Sequence, residues 1–85
     1  MRNIEELLTT GNKAQRKKLE ENQHKKPFNL MEFEEIVKLL KEEMEEVQEE
    51  IIRTGIDIDA LKYECADLAN ACHMMILHCE RELDK

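Results

Sequence analysis

The chain has little that would interrupt a helix. Its 85 residues include one proline and two glycines, no tryptophan, and only two phenylalanines and one tyrosine. Charged residues make up 39% of the sequence, which favours long helices over strands. A chain this short forms one small domain with a modest core. We therefore expect an all-α protein whose apolar helix faces are covered by oligomerisation into a helix bundle.

Long hydrophobic runs and a disulfide framework are also missing. No apolar stretch approaches the ~20 residues that cross a bilayer, and no signal peptide heads the chain. The odd number of cysteines (Cys65, Cys72 and Cys79) indicates a reducing cytoplasmic location, with all three as small core residues. The net charge of −7 argues against nucleic-acid binding. We expect no membrane and no nucleic-acid partner.

The N-terminal segment, residues 1–26, is predicted to be helical and basic. Residues 3–9 indicate a short amphipathic helix that stops at Gly11-Asn12, with a polar helix continuing over 13–24. The segment contains a cluster of cations: Lys13, Arg16, Lys17, Lys18, Lys25 and Lys26. Three readings of these cations stay open, namely a solvated face, recruitment of phosphate, and contact with nucleic acid.

The core, residues 27–85, is predicted to be a helical hairpin. Pro27 precedes it, and Asn29 is the expected N-cap of its first helix. That helix has an apolar stripe at steps of three and four: Phe33, Ile36, Val37, Leu40, Met44, Val47 and Ile51. It should end near Thr54-Gly55, after which Asp57 or Asp59 caps a last helix that runs to about Leu83.

The last helix carries a second uninterrupted apolar stripe. Its members, predicted to face the core, are Ile58, Leu61, Cys65, Leu68, Cys72, Met75 and Cys79. Because the connecting loop is short, the two long helices should pack antiparallel.

Two acidic pairs lie beside these stripes. Glu43 and Glu46 are three residues apart on the first helix of the hairpin, as are Glu64 and Asp67 on the last. Residues three apart share a helix face, so antiparallel helices can bring four carboxylates around one point. Four bare anions repel strongly in a low dielectric, and a hard cation such as Mg²⁺ or Mn²⁺ resolves the conflict. The alternative is a solvated glutamate-rich face with no ligand.

The same residues resemble a known family. Glu42-Glu43-x-x-Glu46, followed after 17 residues by Glu64-x-x-Asp67, is similar to the EExxE…ExxD signature of the MazG-like, all-α nucleoside triphosphate pyrophosphohydrolases. The stretch from Glu64 to Ile76 resembles the ECADVAN-x-x-MMI stretch of small phage or prophage members. The basic and aromatic residues from His24 to Phe28 also resemble a segment upstream of the first motif helix. The resemblance covers about residues 24–78.

The resemblance implies an enzyme that uses Mg²⁺, with Mn²⁺ as a possible substitute. The family hydrolyses an NTP or dNTP between the α- and β-phosphates to a nucleoside monophosphate and pyrophosphate. By this resemblance Glu43, Glu46, Glu64 and Asp67 are the metal ligands. Glu42, Glu43 and Glu46 are the implied catalytic acids, with Glu42 in a supporting role.

Substrate contacts and assembly follow in the same way. Asn70, one turn beyond Asp67, would contact the nucleotide or orient a ligand. From charge and position, Lys25 or Lys26 would hold the outgoing pyrophosphate. The expected assembly is a homo-dimer or tetramer. Two alternatives remain: a catalytically weak or inactive MazG-like module that binds nucleotide or protein, and a coiled-coil adaptor whose acidic pairs are incidental.

Overall fold

Three helices make up the described part of the fold. The computed structural model describes residues 3–22, 30–53 and 55–84, and within these ranges it contains α1 (Ile4–Glu21), α2 (Phe33–Ile52) and α3 (Ile58–Leu83) and no strand. The all-α prediction is confirmed, whereas assembly into an oligomeric bundle stays a prediction. The predicted boundary between residues 26 and 27 lies outside the described residues. Across the described helices, no stretch combines the length and apolar character that a bilayer crossing requires.

Helix α1 runs without interruption through Gly11, so the predicted stop at Gly11-Asn12 is wrong. The side chain of Asn3 caps the helix, because its Oδ1 accepts from the backbone N–H of Glu6 at 3.2 Å. Ala14 and Gln15, one turn after Gly11, are buried residues of this helix, and Gln15 is bonded to α3. This tertiary contact holds the helix together beyond the glycine, where the sequence alone offered few apolar anchors.

Helices α2 and α3 form the predicted hairpin, with one change at its start. Helix α2 begins after Glu32, whose backbone N–H donates to Glu35 Oε1 at 3.1 Å. The prediction of Asn29 as the N-cap is therefore wrong, and Asn29 itself lies outside the described residues. The predicted cap of α3 at Asp57 is confirmed, since its Oδ1 accepts from the N–H of Ala60 at 3.1 Å.

The antiparallel arrangement of α2 and α3 is visible at the end far from their loop. Phe33, the first residue of α2, lies with its ring centroid 5.7 Å from that of His78, near the end of α3. Gly55, in the loop itself, has a φ of 76°, which side chains with a Cβ rarely adopt. The hairpin therefore closes at Gly55 and pairs opposite ends of the two helices.

Helix α3 is the central element, and it packs against both α1 and α2. Its buried residues are Ala66, Asn70 and Ala71, whose small size lets the neighbouring helices approach closely. The prediction that Cys65, Cys72 and Cys79 lie in the core is wrong, because all three are exposed. The inward face of α3 is instead the line that includes Glu64, Asp67, Ala71, Met74 and His78, all buried or half-buried.

Candidate metal centre

The structure brings the two acidic pairs together. Helix α2 supplies Glu43 and Glu46, and α3 supplies Glu64 and Asp67. One carboxylate oxygen from each of the four lies within 4.8 Å of the others. Glu46 is exposed and the other three are half-buried. This four-carboxylate cluster lies in the groove between the helices, beside the buried Ala71.

The cluster is electrostatically strained. Partial burial, followed by the charges of Glu46 and Asp67, raises the pKa of Glu43 from 4.5 to about 7. Partial burial and a hydrogen bond with Glu46 also raise the pKa of Glu64. Within the described part of the chain, the buried Oε2 atoms of Glu43 and Glu64 have no hydrogen-bond partner. Buried oxygens in that state favour a proton or a bound cation.

Lys18 of α1 reaches this cluster from the side. Its Nζ lies 3.7 Å from Asp67 Oδ2 and 3.3 Å from Glu21 Oε2. Although partial burial opposes it, the charges of Asp67 and Glu21 hold the pKa of Lys18 above its ordinary value. The sequence analysis did not connect Lys18 with the four acids, because helix spacing does not show where α1 crosses α3. Its membership of the N-terminal cation cluster was the available signal.

Asn70 is buried, with 6% of its surface exposed, and it binds α1. Its Oδ1 accepts from Gln15 Nε2 at 3.2 Å, and its Nδ2 donates to the backbone oxygen of Gln15 at 3.1 Å. Gln15 Nε2 also lies 2.9 Å from His73 Nδ1. Lys18 follows Gln15 by three residues, on the same helix face. The amide pair therefore positions the lysine that reaches Asp67.

A second basic contact between α1 and α3 surrounds Tyr63. Lys17 donates from Nζ to Tyr63 Oη at 3.1 Å, and it lies 4.6 Å from the centre of that ring. Lys62 Nζ is 5.1 Å from the same centre. The hydrogen bond from Lys17 lowers the pKa of Tyr63. Tyr63 shares a helix face with Asp67, four residues further on, so Lys17 joins α1 to α3 one turn before the cluster.

A cavity of about 220 Å³ lies further along α1 and α3. Its lining is largely apolar, with Asn70 and His73 as the polar members; the residues are Leu19, Asn70, His73, Met74 and Leu77. It is large enough for a group of the size of a nucleobase.

The remaining site residues behave differently from one another. Glu42 is exposed and is not one of the four clustered acids. Lys25 and Lys26 lie outside the described residues. Glu50, another acidic residue of α2, is 5% exposed. Its Oε2 lies 3.6 Å from Arg53 Nη1, and its buried Oε1 has no hydrogen-bond partner in the described part of the chain.

Comparison with known proteins adds no relative: no family model, no curated protein and no solved structure matches the chain. The MazG-like resemblance therefore rests on the motifs around the four clustered acids, and it stays a prediction.

Proposed function

We propose that the protein is a Mg²⁺-dependent nucleotide pyrophosphohydrolase, for which Mn²⁺ can substitute. It cleaves an NTP or dNTP between the α- and β-phosphates and releases a nucleoside monophosphate and pyrophosphate. The observation that carries the proposal is the convergence of Glu43, Glu46, Glu64 and Asp67 within 4.8 Å. The reaction type comes from the resemblance of their spacing to the MazG-like signature.

The donor set fits a hard divalent cation. Carboxylate oxygens are the protein ligands that Mg²⁺ prefers, and Mg²⁺ usually keeps positions for water and substrate phosphate. The unpartnered buried oxygens of Glu43 and Glu64 are available as ligands. When bound, the ion would neutralise charge on the phosphates and make water a stronger acid. Among the described residues, no cysteine or histidine joins this cluster, which disfavours zinc.

The chain's own residues supply proton transfer and phosphate binding. A carboxylate of the cluster that the metal does not saturate can accept a proton from an attacking water. Lys18 lies next to the cluster, and Lys17 is bonded to Tyr63 one helical turn before Asp67, so both offer positive charge to a polyphosphate chain. Lys25 and Lys26 remain candidates for holding pyrophosphate. We also propose that the active form is a homo-dimer or tetramer.

One observation favours a second candidate, a MazG-like module that binds nucleotide or protein with little or no turnover. Both polar ends of the Asn70 amide bind Gln15, so the side chain that the resemblance assigns to the nucleotide holds α1 against α3. In that case the acidic cluster would serve binding of a metal–nucleotide complex.

A substrate panel separates the two candidates. The protein is incubated with NTPs and dNTPs in Mg²⁺, Mn²⁺ or EDTA from pH 7 to 9.5, and products are resolved by chromatography. We expect a monophosphate and pyrophosphate, which distinguishes this cleavage from loss of the γ-phosphate. Absence of pyrophosphate under every condition would overturn the proposal. A nucleotide that raises the Tm in Mg²⁺ without being consumed would support the binding module.

Two variants test the site itself. Glu43→Gln and Asp67→Asn should each abolish turnover while circular dichroism shows unchanged helix content. Glu45→Gln is the matched control, because Glu45 is exposed on the same helix and outside the cluster. Turnover that survives both cluster substitutions would show that the active site lies elsewhere.

A further inference from the structure

One side of α3 is apolar but has no covering helix among the described residues. This open face consists of seven residues at steps of seven, four or three: Ile58, Cys65, Ala69, Cys72, Ile76, Cys79 and Leu83. Residues at such steps form one stripe along a helix. Ile58 is 72% exposed, Ile76 58% and Leu83 78%. Helices α1 and α2 pack on other parts of α3, around Ala66, Asn70 and Ala71.

The open face is suited to a copy of itself. From Cys65 to Cys79 its members carry no charge, although the whole chain has a net charge of −7. Two acidic chains repel, so they approach most readily through an uncharged surface. A stripe that alternates three- and four-residue steps packs against an equivalent stripe, and a two-fold axis makes the same patch serve both partners.

Charges at the two ends of the face set the direction of packing. Lys62 and Glu80, both exposed, are 18 residues apart, which is about five helical turns, so they lie on the same flank of α3. In an antiparallel pair each Lys62 meets the other chain's Glu80 on that flank. In a parallel two-fold pair this flank of the two chains lies on opposite sides of the seam, so Lys62 and Glu80 do not meet across it. The midpoint between these residues lies next to Cys72.

We propose that a second copy of this chain packs antiparallel on the open face of α3, about a two-fold axis near Cys72. The contact would form an α3–α3 seam at the centre of a six-helix dimer, with the two acidic clusters outside the seam. This assembly rests on the open face and its flanking charges, and it does not depend on the proposed enzymatic activity.

Measuring the oligomeric state tests whether the open face of α3 forms the dimer contact. Light scattering coupled to size-exclusion chromatography should give twice the mass of the chain for the wild type. Ile76→Glu should give the monomer mass with helix content retained, since more than half of this residue is exposed within the subunit. Ile52→Glu is the matched control at an 80% exposed isoleucine on α2, and it should remain dimeric. A monomeric wild type, or a dimer that Ile76→Glu leaves intact, would overturn the proposal.

The direction and register are tested by cross-linking under a mild oxidant at low protein concentration. A variant that keeps only Cys72, made with Cys65→Ala and Cys79→Ala, should form a disulfide-linked dimer. A variant that keeps only Cys65 should not, because its counterpart lies about 20 Å away along an antiparallel helix. Equal cross-linking of the two variants would indicate a parallel or non-specific contact and reject the proposed geometry.

A charge swap gives a second, independent readout. Lys62→Glu and Glu80→Lys should each raise the dimer dissociation constant by about tenfold, because each creates two like-charge contacts across the axis. The double variant should return close to the wild-type value. If the double variant is as weak as the single ones, Lys62 and Glu80 do not meet across the interface.

Discussion

Replacing Glu43 by glutamine should stabilise the metal-free protein. Moving the pKa of this carboxyl from 4.5 to about 7 corresponds to an upper bound of about 3 kcal/mol, at about 1.4 kcal/mol per pH unit. The side chain is only half-buried, so solvent screening reduces the expected gain at pH 8 to about 1–2 kcal/mol. Glutamine keeps the shape of the side chain, removes its charge and can donate a hydrogen bond to a neighbouring carboxylate.

The same substitution should change how stability depends on pH. Folded Glu43 keeps its proton up to about pH 7, whereas in the unfolded chain it loses it near 4.5. Between these values the folded state binds more protons, so stability falls as the pH rises through this window. The raised pKa of Glu64 acts in the same direction. Glu43→Gln removes the largest part of this slope, and urea unfolding from pH 4.5 to 8 without metal measures it.

Mg²⁺ should make the wild type more stable than Glu43→Gln, the reverse of the order without metal. At pH 8, saturating Mg²⁺ should raise the Tm of the wild type, because the ion binds the folded cluster, and shift Glu43→Gln much less. The exposed Glu45→Gln should behave as the wild type in both respects. The electrostatic reasoning is refuted if metal-free Glu43→Gln is less stable than the wild type at pH 8, or if its pH slope is unchanged.

Three further predictions concern the helices that hold the site. Gly11→Ala should stabilise the protein by about 0.5–1 kcal/mol, since the residue is inside α1. Gly55→Ala should destabilise it, because φ is 76° at that position. Thermal unfolding that shows the opposite order would contradict the description of α1 as a single helix. Gln15→Ala and Asn70→Ala should each cost about 1–3 kcal/mol, and the double variant should cost less than their sum in urea unfolding, because the two side chains share hydrogen bonds. Asp57→Ala should lower the free energy of unfolding by about 1 kcal/mol through loss of the α3 cap, and an unchanged value would rule that cap out as a stabilising contact.

The acidic cluster could be predicted from local sequence patterns. Spacing within each helix predicted that Glu43 and Glu46 share one face and that Glu64 and Asp67 share another. A short loop then predicted antiparallel packing, so the convergence of all four followed from rules of helix geometry. The contact between Lys18 and Asp67 could not be predicted in the same way. It depends on how α1 crosses α3, and the spacing of residues along a helix does not specify that crossing.

The three cysteines show what helix periodicity cannot predict. The stripe of Cys65, Cys72 and Cys79 is regular enough to predict a buried seam, but it does not say which partner buries it. Within one chain the small residues Ala66 and Ala71 allow closer packing, and they took the inward position. The apolar seam was left on the outside.

What the sequence determined by itself is therefore the helical class, the hairpin of the two long helices and the presence of two acidic pairs on facing sides. These properties depend on periodicity, capping residues and loop length, all of which act over a few neighbouring residues. Only the tertiary structure decided that α1 continues through Gly11, that Gln15 and Asn70 join α1 to α3, and that the cysteine stripe is exposed. The first two outcomes depend on contacts between residues more than 50 positions apart. The third depends on which of two faces of α3 packs inward, and residue spacing within one helix does not decide that.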